Sequence, residues 1–227
     1  MDKTKLKSRV ILCSLLVILV VIWQFLSEKG MINQMFFSSP KAVWQDLKEM
    51  FGSGYIFPHL KVTLCAAFLG LFYGIVFGTL TAFLVGNNKV LINILEPVFV
   101  GIHGLPLLAL GPLFVVWFGI GMKSKIFMAT INVFFLVFFN VYAGVKDVDV
   151  QLINTLKLMR ASKLQIMLKV IMPSCIPWLI ASLKAGVGAA VLGAIVGEYL
   201  GASAGLGWII QTAGGYYNIT RVIACVL

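Results

Sequence analysis

Five apolar stretches dominate this chain: Val10 to Leu26, Leu60 to Val85, Leu91 to Gly121, Ile126 to Val145 and Ser174 to Gly197. Each is long enough to cross a bilayer, and in hydrocarbon a backbone has to satisfy its own polar groups, which a helix does within one segment. The expectation is an all-α, polytopic transmembrane helical bundle. With 60% hydrophobic and 11% charged residues and a mean hydropathy of +1.01, the 227 residues hold too little polar surface to cover a water-soluble globule.

The formal charge of +10 is read as topology. The basic residues lie in short connections, with no long basic stripe interleaved with aromatics, so no nucleic-acid partner is expected. Lys3, Lys5, Lys7 and Arg9 precede the first apolar run, and no small-x-small cleavage pattern follows it. Residues 1–27 are thus an N-terminal cytoplasmic segment and an uncleaved first span. Counting spans from there, Lys89, Lys146, Lys157, Arg160, Lys163 and Lys169 join the inner set. Lys29, Lys41, Lys48, Lys61, Lys123 and Lys125 fall outside, an asymmetry of the positive-inside kind. Cys13, Cys65, Cys175 and Cys225 are scattered in apolar context, so neither a metal site nor a disulfide framework is expected.

Residues 28–57 read as an extracytoplasmic segment. Within it Pro40 opens KAVWQDLKEMF, where Val43, Trp44, Leu47 and Phe51 recur at helical spacing as in an interfacial helix. Residues 58–227 form the core. Its first span carries small residues every fourth position, Ala66, Gly70, Gly74, Gly78, Ala82 and Gly86, a face that admits a close helix neighbour. The fifth span has a similar series, Ala181, Ala185, Ala189, Gly193 and Gly197, and the two stripes are expected to pack together. Lys184 in that span is expected to snorkel to the inner interface.

The third span is broken by Pro97, Gly104, Pro106, Gly111 and Pro112, which free carbonyls that only protein or a water-filled cavity can satisfy. This span is expected to line something. His103 lies within it; a hydrogen bond to a freed carbonyl is the first reading and a substrate contact the second. Asn132 and Asn140, in the Phe-rich fourth span, are able to bridge helices. Glu198 ends the fifth span before a Gly-rich loop, and is either a gate or path residue or a cap for the loop amides. His103, Asn132 and Glu198 are the substrate-path candidates. After Tyr216 and Tyr217 an apolar run from Arg221 ends at Leu227, too short for the ~20 residues of a span. Five full spans plus a truncated sixth are expected.

Residues 147–173 interrupt the apolar pattern. Asp149 is a suitable N-cap for VQLINTLKLM, in which Leu152, Ile153 and Leu156 share a face. Ser162-Lys163-Leu164-Gln165 fits a capping box, and Leu164, Met167, Leu168 and Ile171 follow at helical spacing before Pro173. Two short helices with a bend at Arg160-Ala161 are expected. By physics alone such a loop either presses an apolar knuckle into a soluble partner or lies on anionic headgroups.

NTLKLMRASKLQIMLKVIMP resembles the coupling-loop signature of ATP-binding-cassette importer permeases, in which Glu-Ala-Ala is followed three residues on by Gly and later by Ile-x-Leu-Pro. Here Asn154-Thr155-Leu156 stands for the first triplet, Arg160 for the Gly and Val170-Ile171-Met172-Pro173 for the end. Gly permits φ > 0, so Arg160 is strained if that bend is kept. SSPKAVWQDL, HLKVTLCAAFLGL, Glu96-Pro97, GLPLLALGPLFVVWFGIGMKSKI, NVYAGVKDVD and PSCIPWLIASLKAGVGAAVLGAIVGEYLGASAGLGWII are similar to the subfamily that imports sulfonates, taurine, nitrate and vitamin precursors, although Ala66 stands where that subfamily usually has Arg.

The resemblance implies a prokaryotic cytoplasmic (inner) membrane permease of the binding-protein-dependent type. It implies three protein partners: a separate ATP-binding cassette ATPase subunit, an extracytoplasmic substrate-binding protein and a second permease copy. Membrane lipid surrounds the assembly. Asn154, Leu156, Met159, Arg160, Ala161, Ser162, Lys163 and Met167 are the implied coupling residues. The chain has no Gly-x-x-x-x-Gly-Lys-Ser/Thr motif, so no catalytic residue and no cofactor is assigned to it. The family continues through a complete final helix, so a C-terminally truncated chain is expected. Two alternatives stand beside the importer: an ATP-independent secondary carrier and a non-functional truncated permease. A membrane enzyme is disfavoured because His103, Glu96 and Glu198 lie far apart in sequence.

Overall fold

The computed structural model describes residues 3–227; Met1 and Asp2, at the start of the expected N-terminal segment, lie outside them. The described chain is helical, without strands. In order, the helices are α1 (Lys3–Glu28), α2 (Gln34–Phe37), α3 (Pro40–Gly52), α4 (Ile56–Gly86), α5 (Lys89–His103), α6 (Leu107–Phe118) and α7 (Met122–Lys146). There follow α8 (Val150–Leu158), α9 (Lys163–Ile166), a π-helical turn (Met167–Ile171), α10 (Met172–Ser174), α11 (Ile176–Tyr199), α12 (Leu206–Gly215) and α13 (Ile219–Val226). Among the described residues four helices, α1 from Arg9 on, α4, α7 and α11, are long and apolar enough to cross a membrane. The bent pair α5 and α6 makes a fifth if it counts as one span.

The chain divides into two compact units, residues 3–59 with Trp208–Leu227, and Leu60–Gly207. In the first, Ser39 caps α3 by accepting from the Ala42 amide, and Pro40 supplies a preset φ at the first helical position. The face α3 buries is Val43 and Met50, whereas Trp44 and Phe51 are exposed. Of the expected apolar face, Val43 is enclosed within this unit, where α13 and α1 pack on α3, and Trp44 and Phe51 stay on its outside. Arg221 fixes that pair: its Nη2 donates to Asp46 Oδ1 at 2.6 Å, and Thr220 Oγ1 shares a hydrogen bond with Ser38 Oγ at 2.7 Å.

The second unit is built around α7. Its Met128, Ala129, Val133, Val137, Phe138 and Val141 are completely enclosed. The small-residue stripe of α4 meets it directly: a Cβ on Gly70 would collide with Ala129, one on Gly74 with Val133 and one on Gly78 with Val137 and the Phe134 carbonyl. Both ridges recur every fourth residue, the geometry in which i±4 rows interdigitate.

The stripe of α11 packs on α7 as well, not on the stripe of α4. A Cβ on Gly193 would stand 2.7 Å from Ala129 Cα. Ala181 and Ala185 are exposed and Ala189 is half-buried, while Ser182, Gly186, Ala190, Gly193 and Gly197 form the buried line. A strict four-residue series drifts by about 40° per step around a helix of 3.6 residues per turn. A straight contact thus mixes steps of three and four, as the observed line does.

Candidate functional site

Three places in the second unit hold the residues singled out above. The first is the 147–173 segment. Asp149 caps α8 by accepting from the Gln151 amide at 2.7 Å. Ser162 and Gln165 complete a reciprocal capping box, with Ser162 N–H donating to Gln165 Oε1 at 2.7 Å and the Gln165 amide donating to Ser162 Oγ at 3.2 Å. Between the two helices Arg160 takes φ +58°, the left-handed conformation that Gly adopts without cost. The Ala161 amide reaches back to the Leu156 carbonyl at 3.0 Å, and the Arg160 amide to Lys157 at 2.9 Å, so the bend ends α8 in the manner of a Schellman turn.

This bend decides which side chains show. Ile153, Leu156, Ala161 and Met167 pack partly against the core, while Leu152, Asn154, Leu158, Met159, Arg160, Ser162, Lys163, Leu164 and Leu168 are exposed. Leu158 and Met159 are 87% and 73% exposed, so the tip of the segment is apolar and uncovered. The face expected from Leu164, Met167, Leu168 and Ile171 is replaced by Ile166 and Ile171, which are buried. Although five residues apart, they share a buried side because Met167–Ile171 winds as a π turn, with the Met172 amide donating to the Met167 carbonyl.

The second place is the break in the third span. α5 and α6 meet at 96° around Gly104, Leu105 and Pro106. A cavity of about 160 Å³ opens at the corner, lined by His103 and Leu107 from the break and Asn132 and Phe135 from α7, among others. Two of the three path candidates thus share one cavity. The His103 ring packs on Phe135 and Phe139, with centroids 5.3 and 5.5 Å away, in place of the carbonyl contact expected first. Asn132 Nδ2 donates to the Ala189 carbonyl at 2.8 Å and joins α7 to α11 as expected of a bridging Asn. Midway along α5, Glu96 accepts from Tyr142 OH at 3.0 Å and from Lys146 Nζ at 3.5 Å, which ties α5 to α7.

The third path candidate, Glu198, lies elsewhere and is fully buried. Its carboxylate accepts from Thr63 Oγ1 at 2.8 and 2.9 Å and from the Gly207 amide at 2.9 Å. Thr63 Oγ1 in turn accepts from the Leu206 amide at 2.9 Å. Lys125, expected in an outer turn, belongs to α7, is 4% exposed and donates to the Ala204 carbonyl at 2.6 Å. Neither Thr63 nor Lys125 was singled out from sequence. The usable signal lay in Lys125 standing three and four residues before Met128 and Ala129, which places it on the buried face once α7 starts at Met122.

A family model described as "Binding-protein-dependent transport system inner membrane component" matches residues 74–227. A putative aliphatic sulfonates transport permease protein of Bacillus subtilis (strain 168) is 30% identical over 210 residues, covering 92% of this chain and 76% of the relative. The taurine transport system permease protein of Escherichia coli (strain K12) is 30% identical over 214 residues, covering 92% and 78%. Among solved structures, the methionine ABC transporter MetNI in an inward-facing conformation aligns with a TM-score of 0.63 at 24% identity, covering 73% of this chain and 83% of that one, so the fold is shared.

Proposed function

Because the chain belongs to the family of binding-protein-dependent transport system inner membrane components, we propose that its 147–173 segment is the lever by which a separate ATPase subunit drives import of a small molecule of the sulfonate, taurine, nitrate or vitamin-precursor type. The chain is the multi-pass permease component of such an importer. In this reading the N-terminus and the 147–173 segment face the cytoplasm, an extracytoplasmic binding protein delivers substrate, and a second permease copy completes the path. ATP hydrolysis belongs to the partner.

The observation that carries the reading is the uncovered apolar tip at Leu158, Met159 and Leu164, held on a left-handed Arg160 and a capping box. Exposed apolar side chains on a bend already shaped by local hydrogen bonds supply burial area to a partner groove at a reduced backbone-ordering cost. Motion of α8 and α9 is passed to the core through Ile153, Leu156 and Ile166, which pack against it. The corner between α5 and α6, where His103 and Asn132 share a cavity, is the part of the chain suited to meet the substrate.

Leu158→Asp with Leu164→Asp tests this. Co-purification of the ATPase subunit is expected to fall at least tenfold while the chain still inserts and folds. Unchanged co-purification contradicts the docking role. Uptake that persists in vesicles without ATP favours the secondary carrier.

A further inference from the structure

The buried polar groups around loop 200–207 have no part in docking or in the cavity at His103. Three helices contribute them: Thr63 from α4, Lys125 from α7 and Glu198 from α11. All three are essentially sealed from solvent, at 1%, 4% and 0% exposure. Each holds a backbone group of the loop or of the start of α12. Lys125 holds the Ala204 carbonyl, Thr63 the Leu206 amide and Glu198 the Gly207 amide. Thr63 Oγ1 donates its own hydrogen bond to Glu198, so the three side chains and the loop form a connected network.

The loop is shaped to this network. Gly205 has φ +125°, and a Cβ there would run into the Glu198 carboxylate. A Cβ on Gly207 would stand 2.8 Å from Glu198 Cβ. Only a loop without side chains at these two points brings its amides onto a buried carboxylate.

We propose that Thr63, Lys125 and Glu198 form a clamp that fixes loop 200–207 to α4, α7 and α11 as a permanent stop, not as a gate that opens during transport. The reason is electrostatic. Swinging the loop away removes Gly207 from Glu198 and Ala204 from Lys125, leaving an acid and a base short of partners among side chains that are almost closed to solvent. A buried charge deprived of its partners is strongly destabilising, whereas a hinge needs two arrangements of similar energy. Conformational change is therefore carried by other parts of the chain, and the loop travels with the three helices. The inference rests on the transport reading only in that it speaks of a turnover cycle.

Hydrogen exchange at the Leu206 and Gly207 amides tests it, on the full chain in lipid nanodiscs with its ATPase subunit, with and without ATP. The expected result is slow exchange, at least 100-fold below that of an open peptide, equal within a factor of three in the two conditions. Glu198→Ala is expected to speed exchange at Gly207 at least tenfold, and Glu198→Gln, which keeps an acceptor oxygen, to restore most of the protection. A rise of tenfold or more in the unmodified chain during ATP turnover overturns the proposal, as does unchanged protection in Glu198→Ala. A disulfide between Thr63→Cys and Leu206→Cys, in a chain whose four native cysteines are replaced, gives a second measure. Oxidation is expected to leave uptake within twofold of the reduced protein, and loss of uptake reversed by reductant overturns the clamp. Failure of the importer reading shows separately, as uptake without ATP, and leaves the exchange result standing.

Discussion

Two loops of the same unit treat their polar and apolar groups in opposite ways. Loop 200–207 sends its backbone groups onto Thr63, Lys125 and Glu198, and those side chains are almost fully enclosed. The 147–173 segment satisfies its helix ends locally, through Asp149 and the Ser162 to Gln165 box, and leaves Leu158, Met159, Leu164 and Leu168 uncovered. Both rely on a left-handed backbone, but one uses Gly205, where a side chain has no room, and the other uses Arg160, whose side chain is free in solvent. Backbone shape is thus held in the first loop by tertiary contacts and in the second by local ones. The first is complete within this chain, and the second presents a surface for another molecule.

This contrast predicts a ranking. Glu198→Ala leaves Lys125 buried without its acidic neighbour and the Gly207 amide without its acceptor, so a loss of about 3–5 kcal/mol is expected. It is read as a fall in the thermal midpoint of the detergent-purified protein. Gly205→Ala follows, at about 2–3 kcal/mol, because a side chain at that φ is strained and its Cβ meets the carboxylate. The contrast breaks if either costs less than Leu158→Asp does.

In the 147–173 segment the effects on stability are smaller and local. Ser162→Ala removes one half of the capping box and is expected to cost about 1 kcal/mol, seen as faster hydrogen exchange at Gln165. Arg160→Gly relieves the left-handed strain and is expected to stabilise the bend by up to about 1 kcal/mol, offset in part by the greater freedom of Gly in the unfolded chain. Leu158→Asp is expected to change the thermal midpoint least, within about 0.5 kcal/mol, since an 87% exposed side chain packs on almost nothing. Its effect is instead on association with the ATPase subunit.

The parts of this fold that were legible in the sequence are those that depend on near neighbours. The capping box at Ser162, the Asp149 cap, the bend at Arg160 and the close-packing stripe from Gly70 to Gly78 follow from residues a few positions apart. The clamp was not legible, because Thr63 and Glu198 are 135 positions apart and meet only when α4 and α11 pack on the same α7. The partner of the α11 stripe was not legible for a related reason. Small residues every fourth position say that a helix comes close, but they do not say which one, and both stripes found α7. The sharing of one cavity by His103 and Asn132 required the 96° corner, which the prolines and glycines announced without fixing its angle.

The claim that the 147–173 segment meets an ATPase subunit is tested most directly by a photo-crosslinking residue placed at Met159, in native membranes that contain the partner proteins. The principal adduct is expected to be with the ATPase subunit and to be lost with Leu158→Asp and Leu164→Asp. An adduct formed with lipid alone, at full occupancy of the membrane by the ATPase subunit, would contradict it and assign the exposed apolar tip to the headgroup layer.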